Sequence, residues 1–86
     1  MKRIIEETGV QGLELLLGEN VLLMCANYFY SGKLMGVNSS FVELEDAGIV
    51  YETGQWDNKA YADRQKLHTK KWYVQTGAIE SYGLSK

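Results

Sequence analysis

The chain has 86 residues and a formal net charge of −2 at pH 7. That length suits one domain with a modest core, and domains this small are usually stabilised by disulfides, by a metal or by partner subunits. Cys25 is the only cysteine and His68 the only histidine, which excludes an internal disulfide and a Cys/His zinc site. By elimination, we expect the chain to associate with copies of itself.

Hydropathy and charge limit the location and the partners. No apolar run reaches the roughly 18 residues of a transmembrane helix, and residues 1–7 lack the apolar core of a signal peptide. We therefore predict a cytoplasmic protein without membrane contact. The mildly negative charge argues against a duplex-DNA binder with a basic face. One stretch is nevertheless basic, with Asp63 as its only acid and five cations: Lys59, Arg64, Lys66, Lys70 and Lys71.

The first predicted element is a short amphipathic helix over about 9–17. Thr8 and Gln11 have the spacing of a capping box, and Gly18 suits the position just after a helix. Gly12 weakens the helix, which is too short to be stable alone, so we expect it to pack on a sheet. Its apolar face would consist of Val10, Leu13, Leu16 and Leu17.

Three strands are predicted next, over about 20–27, 28–38 and 41–52. The first is apolar throughout, which is typical of a strand buried on both faces. Glycines interrupt the second, and the inward phase of the third changes near Asp46, as at a β-bulge. Long, bent strands around one core favour a small barrel over a flat sheet.

The polar residues 53–69 allow two interpretations. Asp57 could cap a helix over Asn58–Leu67, or the segment could be an irregular excursion between strands, which we favour. Two short strands follow, over about 70–75 and 78–82, joined by a tight turn at Thr76-Gly77. We predict a single all-β domain over 1–86, a strongly bent, five-stranded open barrel with a short N-terminal helix.

The residues resemble the Sm-like family over about 9–82. The run Gly32–Ala47, which reads GKLMGVNSSFVELEDA, is similar to the first family signature, and it closes in the same Glu-Asp-Ala. The residues Gly77-Ala78-Ile79-Glu80-Ser81 resemble the second signature, in spacing closest to the bacterial host-factor branch. The resemblance implies an SH3-like open barrel that assembles into a homo-hexamer or homo-heptamer.

The resemblance also implies a uridine pocket formed by the two signature turns. Asn38 stands at the position of the pocket aspartate, Ser40 at that of the stacking aromatic and Val42 at that of the asparagine. Thr76 stands at the basic position of the second signature. Each replacement removes the charge, aromatic ring, amide or cation of the family pocket. The ring can therefore persist while the pocket is altered or lost.

Two interpretations of the candidate RNA-binding residues stay open. The turn residues could form a polar rim that meets a base or phosphate, or they could serve the geometry of the turn alone. The basic stretch could bind single-stranded RNA beside its aromatics, or it could be a solvated loop whose aromatics are buried. The candidates are Asn38, Ser39, Ser40, Thr76, Gly77, Lys70 and Lys71.

Catalysis is the function that the sequence favours least. Cys25 lies within an apolar strand, His68 has no catalytic partner at a recognisable spacing, and no metal or phosphate-loop motif is present. No cofactor is predicted. The remaining hypotheses are a ring that binds single-stranded RNA, and an oligomeric structural or protein-interaction module that has lost the RNA pocket.

Overall fold

A computed structural model describes residues 12–86 as one antiparallel sheet of six strands in the order β4-β3-β2-β1-β6, with β5 also paired to β3. The mostly β composition is confirmed, and there is one strand more than the five predicted. In the described residues no helix is long and apolar enough to cross a membrane. The strands are β1 Asn20–Cys25, β2 Phe29–Val37, β3 Phe41–Glu52, β4 Asp63–Lys66, β5 Lys71–Gln75 and β6 Ile79–Leu84.

The helix predicted over 9–17 is not confirmed. Its residues 9–11 and the predicted cap at Thr8 lie outside the described residues. Within them, Leu13–Leu16 is a single 3-10 turn. Gly12 precedes it at a φ of 84°, in the left-handed region that a right-handed helix does not use. Leu13 nevertheless joins the core, with 2% of its surface exposed.

The bulge predicted in the third strand is confirmed. Lys33 pairs with Glu45 and Ser31 with Gly48, so β3 has one residue more than β2 between these pairs. Asp46 lies inside this bulge at a φ of 54°. The bend divides β3 into two halves. The first half pairs with β5, and the second pairs with β4.

The fourth strand corrects the prediction for residues 57–67, where we expected a helix or an irregular excursion. Residues 53–62 contain turns and bends, but Asp63–Lys66 pairs with β3 from Gly48 to Glu52. All four residues of β4 are exposed, so no apolar alternation marked it in the sequence. A contact distant in sequence fastens it, because the Arg64 guanidinium donates hydrogen bonds to both oxygens of Ser31 and to the Asp46 carbonyl.

The core lies on the concave side of the bent sheet. Leu22 points to the opposite side of β1 from Val21 and Leu23, yet it is also buried. Leu22 and Trp56 line one recess, so the segment before β4 borders this second face. The core cluster consists of Leu13, Val21, Leu23, Cys25, Leu34, Val42, Leu44, Ala47 and Val74.

Strand β5 has one partner strand. The Asp46 N–H donates to the Lys70 carbonyl at 2.9 Å and the Thr76 N–H to the Ser40 carbonyl at 3.0 Å. Hydrogen bonding alternates along an antiparallel pair, so the main-chain groups of Lys71, Tyr73 and Gln75 point away from β3. Within residues 12–86 no strand lies on that side, and β6 pairs only with β1.

The buried position of Leu44 gives a test of the fold. Leu44 is fully buried and Leu15 is 78% exposed. We expect Leu44→Ala to lower the free energy of unfolding by about 2–5 kcal/mol, because it removes buried methyl groups and leaves a cavity. Leu15→Ala should change it by less than about 0.5 kcal/mol. Urea denaturation at one fixed protein concentration measures both, and equal midpoints for the two variants would contradict this core.

Candidate nucleic-acid interface

The turn between β2 and β3 is held by its own asparagine. The Oδ1 atom of Asn38 accepts hydrogen bonds from the backbone N–H of Ser40 at 2.7 Å and of Phe41 at 2.8 Å. The Asn38 N–H donates in turn to the Phe41 carbonyl at 3.0 Å. Asn38 therefore stabilises the turn with the atom that a pocket carboxylate or amide would offer to a base.

The two turns expected to form the pocket are in contact. The Thr76 hydroxyl donates to the Ser39 carbonyl at 2.9 Å, and the Thr76 N–H donates to the Ser40 carbonyl. These bonds fix the 3-10 turn Thr76–Ala78 against the turn that precedes β3. Asn38, Ser39, Ser40, Thr76 and Gly77 are thus brought to one end of the bent sheet.

Gly77 and Val42 differ from the other signature residues at this end. Gly77 has no positive φ, and a Cβ added to it would meet nothing within 4 Å, so its backbone conformation does not require glycine. Val42, at the position of the pocket asparagine, is fully buried in the core and does not line the site. The open space at Gly77 leaves room for another molecule to approach the main chain.

The two candidate lysines lie apart from the turns. Lys70 and Lys71 are at the start of β5 and Thr76 follows its end, a separation of roughly 17 Å for a strand that rises about 3.3 Å per residue. The Lys71 Nζ is 3.8 Å from Glu43 Oε1, with both side chains partly exposed. Exposed ion pairs of this kind contribute little to stability, so Lys71 can exchange Glu43 for a phosphate at small cost.

The rest of the basic stretch does not form one surface. Arg64 is bonded to Ser31 and Asp46, and the Lys66 Nζ is 3.7 Å from the Asp46 carboxylate. Trp72 packs against the core, and the Tyr61 hydroxyl is 2.7 Å from the Ser85 hydroxyl. The basic stretch is therefore divided between the start of β5 and a recess lined by Lys59, Tyr61 and Arg64.

An exposed aromatic pair beside the turns was not among the predicted site residues. Phe41 and Tyr73 are 41% and 53% exposed, and their rings meet edge to face with centroids 5.5 Å apart. With Gln75 they line a shallow recess on the outer face of β3 and β5. Alternation could have revealed both, since Val42 and Val74 point inward and their neighbours must point outward.

The hydroxyl of Tyr73 is oriented by an acid. It donates a hydrogen bond to Glu43 Oε1 at 3.0 Å. This bond, with desolvation and the carboxylate charge as lesser causes, raises the pKa of Tyr73 above its usual value. The hydrogen bond to Glu43 thus orients the Tyr73 ring where it lines the recess.

Neither a metal centre nor an activated nucleophile is found in residues 12–86. No group of three or more His, Cys, Asp and Glu side chains there could hold a metal ion. Burial, followed by the charge of Glu80, raises the pKa of the Cys25 thiol, which disfavours the reactive thiolate. The candidate interface itself offers hydrogen bonding, aromatic stacking and charge.

Comparison with known proteins finds no protein-family model, no curated protein and no solved structure that is significantly similar to the chain. The resemblance to the Sm-like family therefore depends on the residues quoted above.

The hydrogen bonds of Asn38 give a prediction about the turn. Asn38→Ala removes the acceptor of two backbone N–H groups and should lower the free energy of unfolding by about 1 kcal/mol. Asn38→Asp keeps an oxygen in the same place and should stay within about 0.5 kcal/mol of the parent. Urea denaturation of the three proteins measures the difference. Equal stability of Asn38→Ala and the parent would show that the turn does not need this side chain.

Proposed function

We propose that the chain assembles into a homo-hexameric or homo-heptameric Sm-like ring that binds single-stranded RNA at the rim formed by its two turns. The observation that carries the proposal is the contact between these turns beside a strand edge that has no partner strand in residues 12–86. The edge of β5 supports the ring, and the contact between the two turns supports the RNA site.

Edge pairing is the step that builds the ring. The outward main-chain groups of Lys71, Tyr73 and Gln75 form a template to which another strand can add. Strand β6 ends the other side of the sheet, and its Leu84 is 64% exposed. Pairing β5 of one copy with β6 of the next is a head-to-tail contact, which closes into a ring when the rotation between copies allows it.

Symmetry would repeat the turns around the ring and give RNA several equivalent contacts. The exposed polar groups at Ser39 and Ser40 can meet base edges or phosphates, and the Phe41–Tyr73 pair offers a stacking surface. Lys70 and Lys71 can contact the backbone of a strand that leaves the rim along β5. Such an interface gains affinity from phosphates and stacking more than from base recognition.

A second candidate function is a ring that serves a structural or protein-binding role without RNA. This function is supported by hydrogen bonds within the rim, because the main polar side-chain atoms there already have partners inside the protein. Asn38 Oδ1 accepts two backbone hydrogen bonds, and the Thr76 hydroxyl is bonded to Ser39. The net charge of −2 also disfavours a polyanion as partner.

Assembly through β5 is tested by Tyr73→Pro. Proline removes the outward N–H of residue 73 and cannot take part in a paired edge, so we expect the oligomer to dissociate to monomers. Tyr73→Ala is the matched control, because it removes the ring and keeps the N–H. Light scattering at micromolar concentration measures the mass, and circular dichroism checks that both variants remain folded.

Two results would overturn this route of assembly. A parent protein that is a clean monomer would remove the basis for a ring. A folded Tyr73→Pro variant that stays oligomeric would move the interface to another surface. The N-terminal turn is then the next candidate, through Leu15 and Leu17 rather than the buried Leu13.

RNA binding is tested by titrating uridine-rich and adenine-rich oligonucleotides at two salt concentrations. The logarithm of the binding constant should fall with the logarithm of salt, with a slope of roughly −0.7 for each phosphate contact. The double variant Lys70→Glu/Lys71→Glu should weaken binding to both sequences equally and reduce this slope. Phe41→Leu should weaken binding about tenfold by removing a stack, whereas Trp56→Leu, another exposed aromatic, should not change it.

The outcomes separate the two candidate functions. A ring that binds neither oligonucleotide at low salt, and that is purified without absorbance at 260 nm from nucleic acid, supports the structural or protein-binding ring. A salt-insensitive, base-selective complex that ignores Lys70 and Lys71 would place the RNA site elsewhere on the molecule.

A further inference from the structure

Three tyrosines meet at the end of the sheet where β1 turns into β2. Tyr28 and Tyr51 are 48% and 53% exposed, with centroids 6.1 Å apart and ring planes at 85°. Tyr28 and Tyr30 are 6.4 Å apart at 63°. Tyr28 thus contacts both other rings while about half of its own surface stays exposed.

Two recesses are lined by Tyr28, and each contains one acidic side chain. The first recess, of about 300 Å³, is lined by Tyr28, Tyr51 and Glu52 together with Asn27. The second, of about 530 Å³, is lined by Tyr28, Tyr30 and Glu80, and it reaches Gly77. No lysine, arginine or histidine of residues 12–86 lines either one. Aromatic faces beside a carboxylate attract an organic cation, and the nearest cation described is Lys86, whose ammonium binds the Thr53 carbonyl at the border of the first recess.

We propose that these two recesses bind a peptide segment that carries arginine side chains at alternate positions. A guanidinium is planar and weakly hydrated, so it can stack on a tyrosine face while it donates hydrogen bonds to a carboxylate. Glu52 and Glu80 each supply one such acceptor. The same two acids repel phosphate, so this surface does not suit RNA, although the second recess shares Gly77 with the proposed RNA site and borders β6.

The arrangement of the recesses favours an extended chain. The recesses share Tyr28 as a common wall, so their occupants would be separated by about one aromatic ring. In an extended peptide, side chains two residues apart emerge on the same side, roughly 6.6 Å from each other. An Arg-x-Arg segment can therefore place one guanidinium on each side of Tyr28.

The test is the binding of a fluorescein-labelled, capped nonapeptide with a central Arg-Gly-Arg, measured by anisotropy at low salt with the full chain. We expect Tyr28→Leu, Tyr51→Leu and Glu52→Gln each to weaken binding by about three- to tenfold. Trp56→Leu and Glu19→Gln, which change an exposed aromatic and an exposed acid outside the recesses, should bind as the parent does. Circular dichroism establishes that each variant is folded.

Peptide variants test the two-recess geometry. Replacing one arginine by glutamine should weaken binding at least fivefold, and an Arg-Gly-Gly-Arg peptide should bind more weakly than Arg-Gly-Arg, because its second side chain emerges on the other side. The proposal is overturned if no peptide binds, if the Tyr28 and Tyr51 variants bind as tightly as the parent, or if both spacings bind equally. Oligonucleotide affinity, measured in parallel, should be unchanged by Glu52→Gln, which separates this surface from the RNA site.

Discussion

The bend of β3 at Asp46 is the constraint on which the rest of the structure depends. The backbone of Asp46 is in the left-handed region and bends the strand. Strand β3 therefore pairs with β2 along one edge, while along the other edge its first half pairs with β5 and its second half with β4. The bend is held from three directions. The Asp46 N–H donates to Lys70, its carbonyl accepts from Arg64, and Ala47 lies so close to Gly32 that an added Cβ would be 3.1 Å from its Cα. Without it, β4 and β5 would compete for one edge.

The bend also positions the candidate interface. Because β5 pairs only with residues 41–45, the chain that leaves β5 at Thr76 emerges beside the turn that begins β3. Thr76 then bonds to Ser39 and Ser40, and the exposed Phe41 and Tyr73 are left on the outer face next to this junction. The tyrosine recesses depend on the other half of β3, where Val50 pairs with Phe29 and carries Tyr51 up to Tyr28. Two surfaces of different chemistry therefore arise from one bent strand.

Sequence patterns predicted the parts of this fold that depend on apolar alternation. The bounds of β3 and a bulge beside Asp46 are confirmed: Val42 and Leu44 are buried before the bulge, and Ala47 and Val50 are buried after it. Strand β4 was not predictable in this way, since all its residues are exposed and its anchor, Arg64, bonds to residues distant in sequence. At the site, the resemblance pointed to the turns, but side-chain roles such as that of Asn38 Oδ1 depend on local geometry. Phe41 was not predicted as a site residue, because the site was inferred from the family resemblance and not from the alternation of inward and outward side chains along β3.

The turn Thr76–Ala78 belongs both to the candidate RNA site and to the second tyrosine recess. Thr76 fastens the rim, Gly77 and Ala78 line the second tyrosine recess, and the turn joins β5 to β6, the two strands proposed to pair between copies. In the proposed ring, a ligand at the rim or in the second recess would affect assembly only if it binds more tightly to one position of this turn than to another. A ligand that binds equally well whether or not β5 and β6 are paired shifts nothing, however tightly it binds. In the proposed ring such coupling would pass through Thr76, whose two hydrogen bonds hold the turn to Ser39 and Ser40.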